Sequence, residues 1–180
     1  MPRLRPPVDP RTLRLRVDPV YVSGVTAIHR GPGEGESVRN PVGGLVTFRL
    51  RGEESGGALT IVESVAAPGE GPPLHRHDDA DEVVQVLEGE FRFQLGDEVK
   101  PAPAGTLVYV TRGFTHTWQN VGDVPGRLLA MFTPASTGME TFFEQFAPVA
   151  DGPSPMESFK ALAGDAGMEV VGPPLSALSS

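Results

Sequence analysis

Between Tyr21 and about Ala135 the chain is cut into short runs of β-branched and apolar residues, and Gly, Pro, Asn or Asp separates almost every pair of them. That punctuation constrains the fold more than any other feature, because helices need longer uninterrupted segments and strands do not. The runs fall at 45–50, 59–66, 83–87, 90–95, 106–110, 116–120 and 128–133. The 22 glycines and 19 prolines are spread between these runs and form no low-complexity block. Many short strands joined by tight turns predict an all-β sandwich or barrel. Glu88-Gly89 reads as the turn of a hairpin between the strands at 83–87 and 90–95, with Gly supplying a positive φ, and Gly96-Asp97 reads as a second such turn.

Three of the four histidines lie among these runs at a telling spacing. One segment reads Gly69-x5-His75-x-His77-x4-Glu82-x6-Gly89, and another reads Gly105-x5-Thr111-x-Gly113-x2-His116-x3-Asn120. In an extended strand side chains alternate faces, so His75 and His77 project together, close enough to be neighbouring ligands of one cation. An Asp-rich turn (Asp78, Asp79, Asp81) then leads into the strand that begins near Glu82. Gly113 gives the chain the freedom to bring His116 into the same space. The four-residue turn breaks strand parity, so Asp81 competes with Glu82 for the fourth place. Four ligands would leave one or two coordination positions open. His29 has no partner at such a spacing and reads as a surface or hydrogen-bonded histidine.

Strand alternation also predicts the walls of the site. Trp118 and Asn120 share the face of His116, Val84 and Val86 share that of Glu82, and Phe132 or Met131 adds to the wall from the strand at 128–133. These substrate-facing candidates make an apolar, aromatic pocket.

The chain has no cysteine, so neither a disulfide framework nor a thiolate site exists, and any metal is held by nitrogen and oxygen. A reducing, cytoplasmic location fits. A formal net charge of −8 argues against nucleic acid or anionic lipid as a partner. No apolar stretch is long enough to cross a bilayer, and the Pro- and Arg-rich start has no apolar core of a signal peptide. At 180 residues one domain with extensions is expected: a basic arm over 1–20, a barrel over 21–137, and helices with a tail over 138–180. The arm carries Arg3, Arg5, Arg11, Arg14 and Arg16, and Thr12-Leu13-Arg14-Leu15-Arg16-Val17 alternates as a strand would. Such an arm would dock on the acidic barrel or on a second copy.

Met139, Phe142, Phe143 and Phe146 stand at i, i+3, i+4 and i+7, which predicts a short amphipathic helix closing one end of the barrel. Ser154-Pro155-Met156-Glu157 reads as an N-cap, a first-turn proline and a capping-box glutamate, with Gly164 ending that helix. The segment 168–171 reads as a short edge strand before Pro173-Pro174.

The two histidine segments resemble the two signature motifs of the cupin superfamily, G-x5-H-x-H-x3-4-E-x6-G and G-x5-P-x-G-x2-H-x3-N. The match covers Gly69 to Asn120, and this chain departs from it only at Thr111, where proline is usual. That proline shapes a turn and binds nothing. The resemblance implies a single jelly-roll β-barrel with short C-terminal helices, and His75, His77, Glu82 and His116 as ligands of one divalent transition metal ion (Fe, Mn, Ni, Cu or Zn). It favours Glu82 over Asp81. Members of this kind often form homodimers through their N-terminal strands, which would give the basic arm a purpose. Within the superfamily the chain is similar to the single-domain quercetinase-like dioxygenases, which share the ligand set and carry a Phe-rich helix after the barrel. The implied activity is dioxygenation of a small, hydrophobic, aromatic or enolisable substrate, with Glu82 as both ligand and general base. The alternatives are a redox-neutral cyclase, isomerase or lyase of a natural-product intermediate, and a non-catalytic small-molecule binding module.

Overall fold

A strict alternation of buried and half-buried side chains runs through the central strands, as it must where one face of a sheet is core and the other is surface. The computed structural model describes residues 20–22, 25–41, 44–147 and 155–178. It divides into two units, Met1–Gly35 and Glu36–Ser180. In the first, β1 (Val20–Val22) pairs antiparallel with β2 (Val25–Ala27). The strand expected over residues 12–17 lies outside the described residues.

The second unit holds two antiparallel sheets that form the jelly-roll barrel. One has six strands, in the order β10 (Leu107–Val110), β7 (Asp81–Glu88), β12 (Gly126–Thr133), β5 (Thr60–Ala66), β4 (Leu45–Leu50) and β3 (Glu36–Arg39). The other has five, in the order β13 (Met168–Pro174), β6 (Pro73–His77), β11 (His116–Asn120), β8 (Glu90–Leu95) and β9 (Glu98–Pro103). Two helices follow β12: α1 (Thr137–Phe146), capped by Ser136 Oγ on the Met139 N–H, and α2 (Pro155–Asp165).

Each of the seven apolar runs is a strand. The hairpin at Gly96-Asp97 is present, with Leu95 opposite Glu98. The hairpin expected at Glu88-Gly89 is not. β7 belongs to the six-stranded sheet and β8 to the five-stranded one, so Gly89 turns a corner between sheets. There a Cβ on Gly89 would stand only 3.0 Å from Gly126 Cα, and the φ of 94° is one that side chains other than glycine rarely adopt.

Two further differences concern the C-terminal part. α2 runs through Gly164 to Asp165, and Gly167, two residues on, takes the left-handed φ of 71° that turns the chain out of the helix. Ser154, the expected cap, lies outside the described residues. The segment after the barrel is also more than an appendage. β13 extends to Pro174 and pairs directly with β6, placing Val170 opposite His75 and Met168 opposite His77. The outermost strand of the five-stranded sheet thus comes from beyond both helices.

One core cluster joins the helices to the barrel through Phe48, Val62, Phe132, Phe142, Phe146 and Phe159. The other, around Val84, Val86, Phe91, Phe93 and Leu128, fills the opposite part of the barrel.

Candidate metal centre

β6 carries His75 and His77 on its inward face, and both are buried. β11 runs beside it with His116 directly opposite His75. Glu82 arrives from the other sheet, near the start of β7, so the carboxylate faces three imidazoles across the barrel. Ligand atoms of these four buried side chains all lie within 4.8 Å of one another. The ring centroids stand 4.4 Å apart for His75 and His116, 5.0 Å for His75 and His77, and 5.6 Å for His77 and His116.

Two of the rings are oriented by the same device. His75 Nδ1 donates to the Pro73 carbonyl at 2.8 Å, and His116 Nδ1 donates to the Phe114 carbonyl at 3.1 Å. A carbonyl only accepts, so Nδ1 carries the proton in each case and Nε2 is left for the cluster. His116 Nε2 lies 2.8 Å from Glu82 Oε2. Since a carboxylate also only accepts, His116 donates there and holds both protons, in keeping with its pKa direction: burial is the largest single effect and pulls it down, but the Glu82 hydrogen bond, the Glu82 charge and the Phe114 carbonyl together outweigh it and raise it. Burial, with the charges of His116 and His77, drives His75 well below the ordinary imidazole range and keeps it neutral. Burial would raise Glu82, yet the His116 hydrogen bond and the nearness of the His77 and His116 rings hold it far below the carboxylate range.

His77 tests whether the site fits a metal. Its Nε2 is 3.3 Å from Glu82 Oε2, near enough for charge but misaligned for a hydrogen bond, and both ring nitrogens are buried without a hydrogen-bond partner. Buried polar atoms are rarely left so, and a cation among the four donors would give Nε2, the nitrogen that faces Glu82, its partner. Three imidazoles and one carboxylate suit a divalent transition metal, and this donor set alone does not choose among them.

Parity between Asp81 and Glu82 is settled by geometry. Asp81 points outward, accepting from the Arg112 backbone and side chain, both at 3.0 Å, and from Tyr109 Oη at 3.1 Å. Thr111 does sit in a turn: Phe114 N–H bonds its carbonyl, and Gly113, with φ 79°, bonds the His77 carbonyl. His29 is exposed.

A cavity opens from this cluster into the barrel, with about 70 Å³ available to the centres of water molecules. Trp118, Val84 and Phe132 line it, and Phe132 meets His77 edge-on at 5.3 Å. Val86 and Asn120 do not. Val86 is packed in the far core cluster, and the Asn120 amide is spent on the Ala66 and Val124 carbonyls and the Gly122 N–H. Met131 is on the outward parity of β12 and is also absent from the wall. Sequence reasoning treated Phe142 and Phe143 as core packing alone, but they close the cavity together with Met139 and, from farther along the chain, Phe159 and Met168. The helical stripe carried that signal, since a helix over a barrel mouth packs on the cavity it covers.

Residues 62–132 match the family model described as "Cupin domain". The chain is 29% identical over 130 residues to the tetracenomycin polyketide synthase protein TcmJ of Streptomyces glaucescens, which spans 72% of this chain and 80% of TcmJ. Among solved structures it resembles an RmlC-like cupin from Shewanella frigidimarina, with TM-score 0.51 and 22% identity over 63% of this chain and 96% of that one. It also resembles the polyketide cyclase RemF from Streptomyces resistomycificus, with TM-score 0.51 and 18% identity over 59% and 79% of the two chains. At those identities the two structures speak for the fold alone. Segment, fold and donor cluster agree with one another, and over residues 62–132 the chain is similar to cupin domains.

Proposed function

We propose that this protein is a metal-dependent enzyme acting on a small, flat, mostly apolar and enolisable aromatic molecule of polyketide type, rearranging it without net oxidation. The observation that carries this reading is the buried His75, His77, Glu82 and His116 cluster opening onto a wall of Trp118, Val84, Phe132, Met139, Phe142 and Phe143. A pocket with a metal-binding cluster at one end and a largely apolar wall selects a hydrophobic ring system that presents an oxygen to the cluster. TcmJ, a polyketide synthase protein, supports the substrate class.

A divalent ion held by these four side chains would supply Lewis acidity toward a substrate oxygen. The chain's own residues do the rest. His75 and His116 are held in fixed orientation by backbone carbonyls, so no reorganisation is needed when substrate enters. Trp118 and Phe132 offer ring faces and edges for stacking, and the helix residues exclude water. Glu82, as hydrogen-bonded here, is a weak base; it takes a substrate proton only after releasing His116.

An oxygen-using, quercetinase-like reaction is the second reading, favoured by the same donor set. Metal-loaded protein incubated with polyketide phenols and flavonols should transform a polyketide phenol without consuming oxygen. Stoichiometric oxygen uptake would transfer the assignment to the dioxygenase, and saturable binding without any product would make the chain a binding module. The Arg-rich first 16 residues beside a net charge of −8 favour a homodimer in which each arm contacts the other copy.

A further inference from the structure

The inner face of β5 carries two hydroxyl residues where the strand pattern calls for apolar ones. Thr60, Val62, Ser64 and Ala66 all point inward and are buried. Thr60 is accounted for, since its Oγ1 donates to Glu140 at 2.6 Å. Ser64 is not: among the described residues no partner for its hydroxyl is found, and it lines the cavity.

Its place in the register gives it a role. The inward residues of the six-stranded sheet form rows across the strands. Glu82, Phe132 and Thr60 make the row at the metal cluster; Val84, Ala130, Val62 and Phe48 make the next. Val86, Leu128, Ser64 and Val46 make the third. Ser64 is thus two rows from Glu82, about 13 Å along the strand direction at some 3.3 Å per residue. Both residues border the same cavity. The space between them is walled by Val62, Val84, Ala130 and Leu128, which offer no hydrogen bond. Asn40, tied by its Nδ2 to the Val65 carbonyl, lines the cavity next to Ser64.

We infer that Ser64 is a specificity-determining residue: its hydroxyl receives a phenol or carbonyl oxygen at the end of an elongated aromatic substrate whose other end lies at the Glu82 cluster. A cavity polar at both ends and apolar between selects linear, end-oxygenated fused rings over compact or singly oxygenated ones. This deepens the proposed function and rests on its substrate class.

Trp118 makes the test independent of turnover. It is the only tryptophan of the chain and lines the cavity, so its fluorescence reports occupancy. The probes are 2,6-dihydroxyanthraquinone, with a hydroxyl at each end, and 2-hydroxyanthraquinone, which lacks one, each titrated into the metal-loaded protein. The dihydroxy probe should bind about 3- to 10-fold more tightly, the scale of one hydrogen bond in a dry site. Ser64→Ala should abolish that preference by weakening the dihydroxy probe alone, and Ser64→Thr, which keeps the hydroxyl, should retain it. Equal affinities in the unaltered protein, or a preference that survives Ser64→Ala, overturns the role of Ser64 while leaving the substrate class intact. Failure of either probe to quench Trp118 overturns both.

Discussion

His77 is the residue on which the metal assignment turns, because its buried Nε2 faces the cluster and has no hydrogen-bond partner among the described residues. His77→Ala and His116→Ala should each lower affinity for a divalent transition metal by roughly 10- to 100-fold or more. His29→Ala, at an exposed position, should leave it unchanged. Metal analysis of the purified proteins checks this, and equal loss in all three would refute the assignment. The protonation pattern gives a second outcome. His75 is already neutral near pH 7, whereas His116 is raised and shares a proton with Glu82, so metal uptake there should displace about one proton, from His116. Affinity should accordingly rise with pH through the His116 titration and level off above it. Calorimetry in buffers of different ionisation enthalpy counts that proton, and a count of zero would mean that His116 does not carry it. Glu82→Gln separates ligand from base: turnover falling further than metal content supports a proton-transfer role, and a proportional fall leaves it a ligand only. Much of this centre was readable from one-dimensional spacing. Strand parity puts His75 and His77 on one face whatever the fold. Parity is lost across the turn before β7, so spacing alone does not separate Asp81 from Glu82; the motif resemblance favours Glu82, and Arg112 and Tyr109 hold Asp81 outward.

At the scale of elements, the same logic explains what sequence reasoning reached and what it missed. Gly96-Asp97 and Glu88-Gly89 look alike as local signals, yet only the first closes a hairpin, because a barrel of two sheets must send some strands across the corner and turn chemistry does not reveal which. β9 (Glu98–Pro103) is not among the seven apolar runs, and it carries Pro101 and Pro103. It forms nonetheless as the outermost strand of its sheet, where an absent N–H can face solvent. The docking of α1 rests on a residue that no amphipathic pattern singles out. Buried Glu140 accepts from the Gly52 N–H at 2.7 Å and from Thr60 Oγ1 at 2.6 Å, and lies 3.5 Å from Arg51. Arg51 in turn stacks 3.9 Å above the Phe48 ring and pairs with Glu144 at 2.8 Å. Glu140→Ala strips the acceptor from two buried donors and should cost about 2–3 kcal/mol in denaturant unfolding. Glu140→Gln, which keeps one acceptor oxygen, should cost less. Because Glu140 touches no metal donor, the metal content of either variant should remain that of the parent; a loss in Glu140→Gln would show that α1 holds the centre as well as the cavity.

At the scale of the whole molecule, the barrel is not complete when β12 ends. β13 covers the edge of β6, the strand that holds His75 and His77, while Phe142, Phe159 and Met168 close the cavity from the C-terminal side. Ending the chain after Ala147 would remove α2 and β13, uncover the backbone of β6, and take away the Gly167 carbonyl that receives the Asp78 N–H. An uncovered edge beside buried imidazoles invites pairing with another chain and lets water reach the donors. A fragment of residues 1–147 should therefore bind metal at least about tenfold more weakly, in line with loss of a supporting shell, and should aggregate at concentrations where the full chain does not. Deleting residues 1–16 should do the reverse, leaving metal content intact while lowering the mass in solution if the Arg-rich arm joins two copies. Light scattering with metal analysis on both truncations reads the two effects separately. A 1–147 fragment that keeps full metal affinity would mean that β6 holds its histidines in place without β13. An arm-deleted chain of unchanged mass would mean that assembly, where it occurs, uses another face.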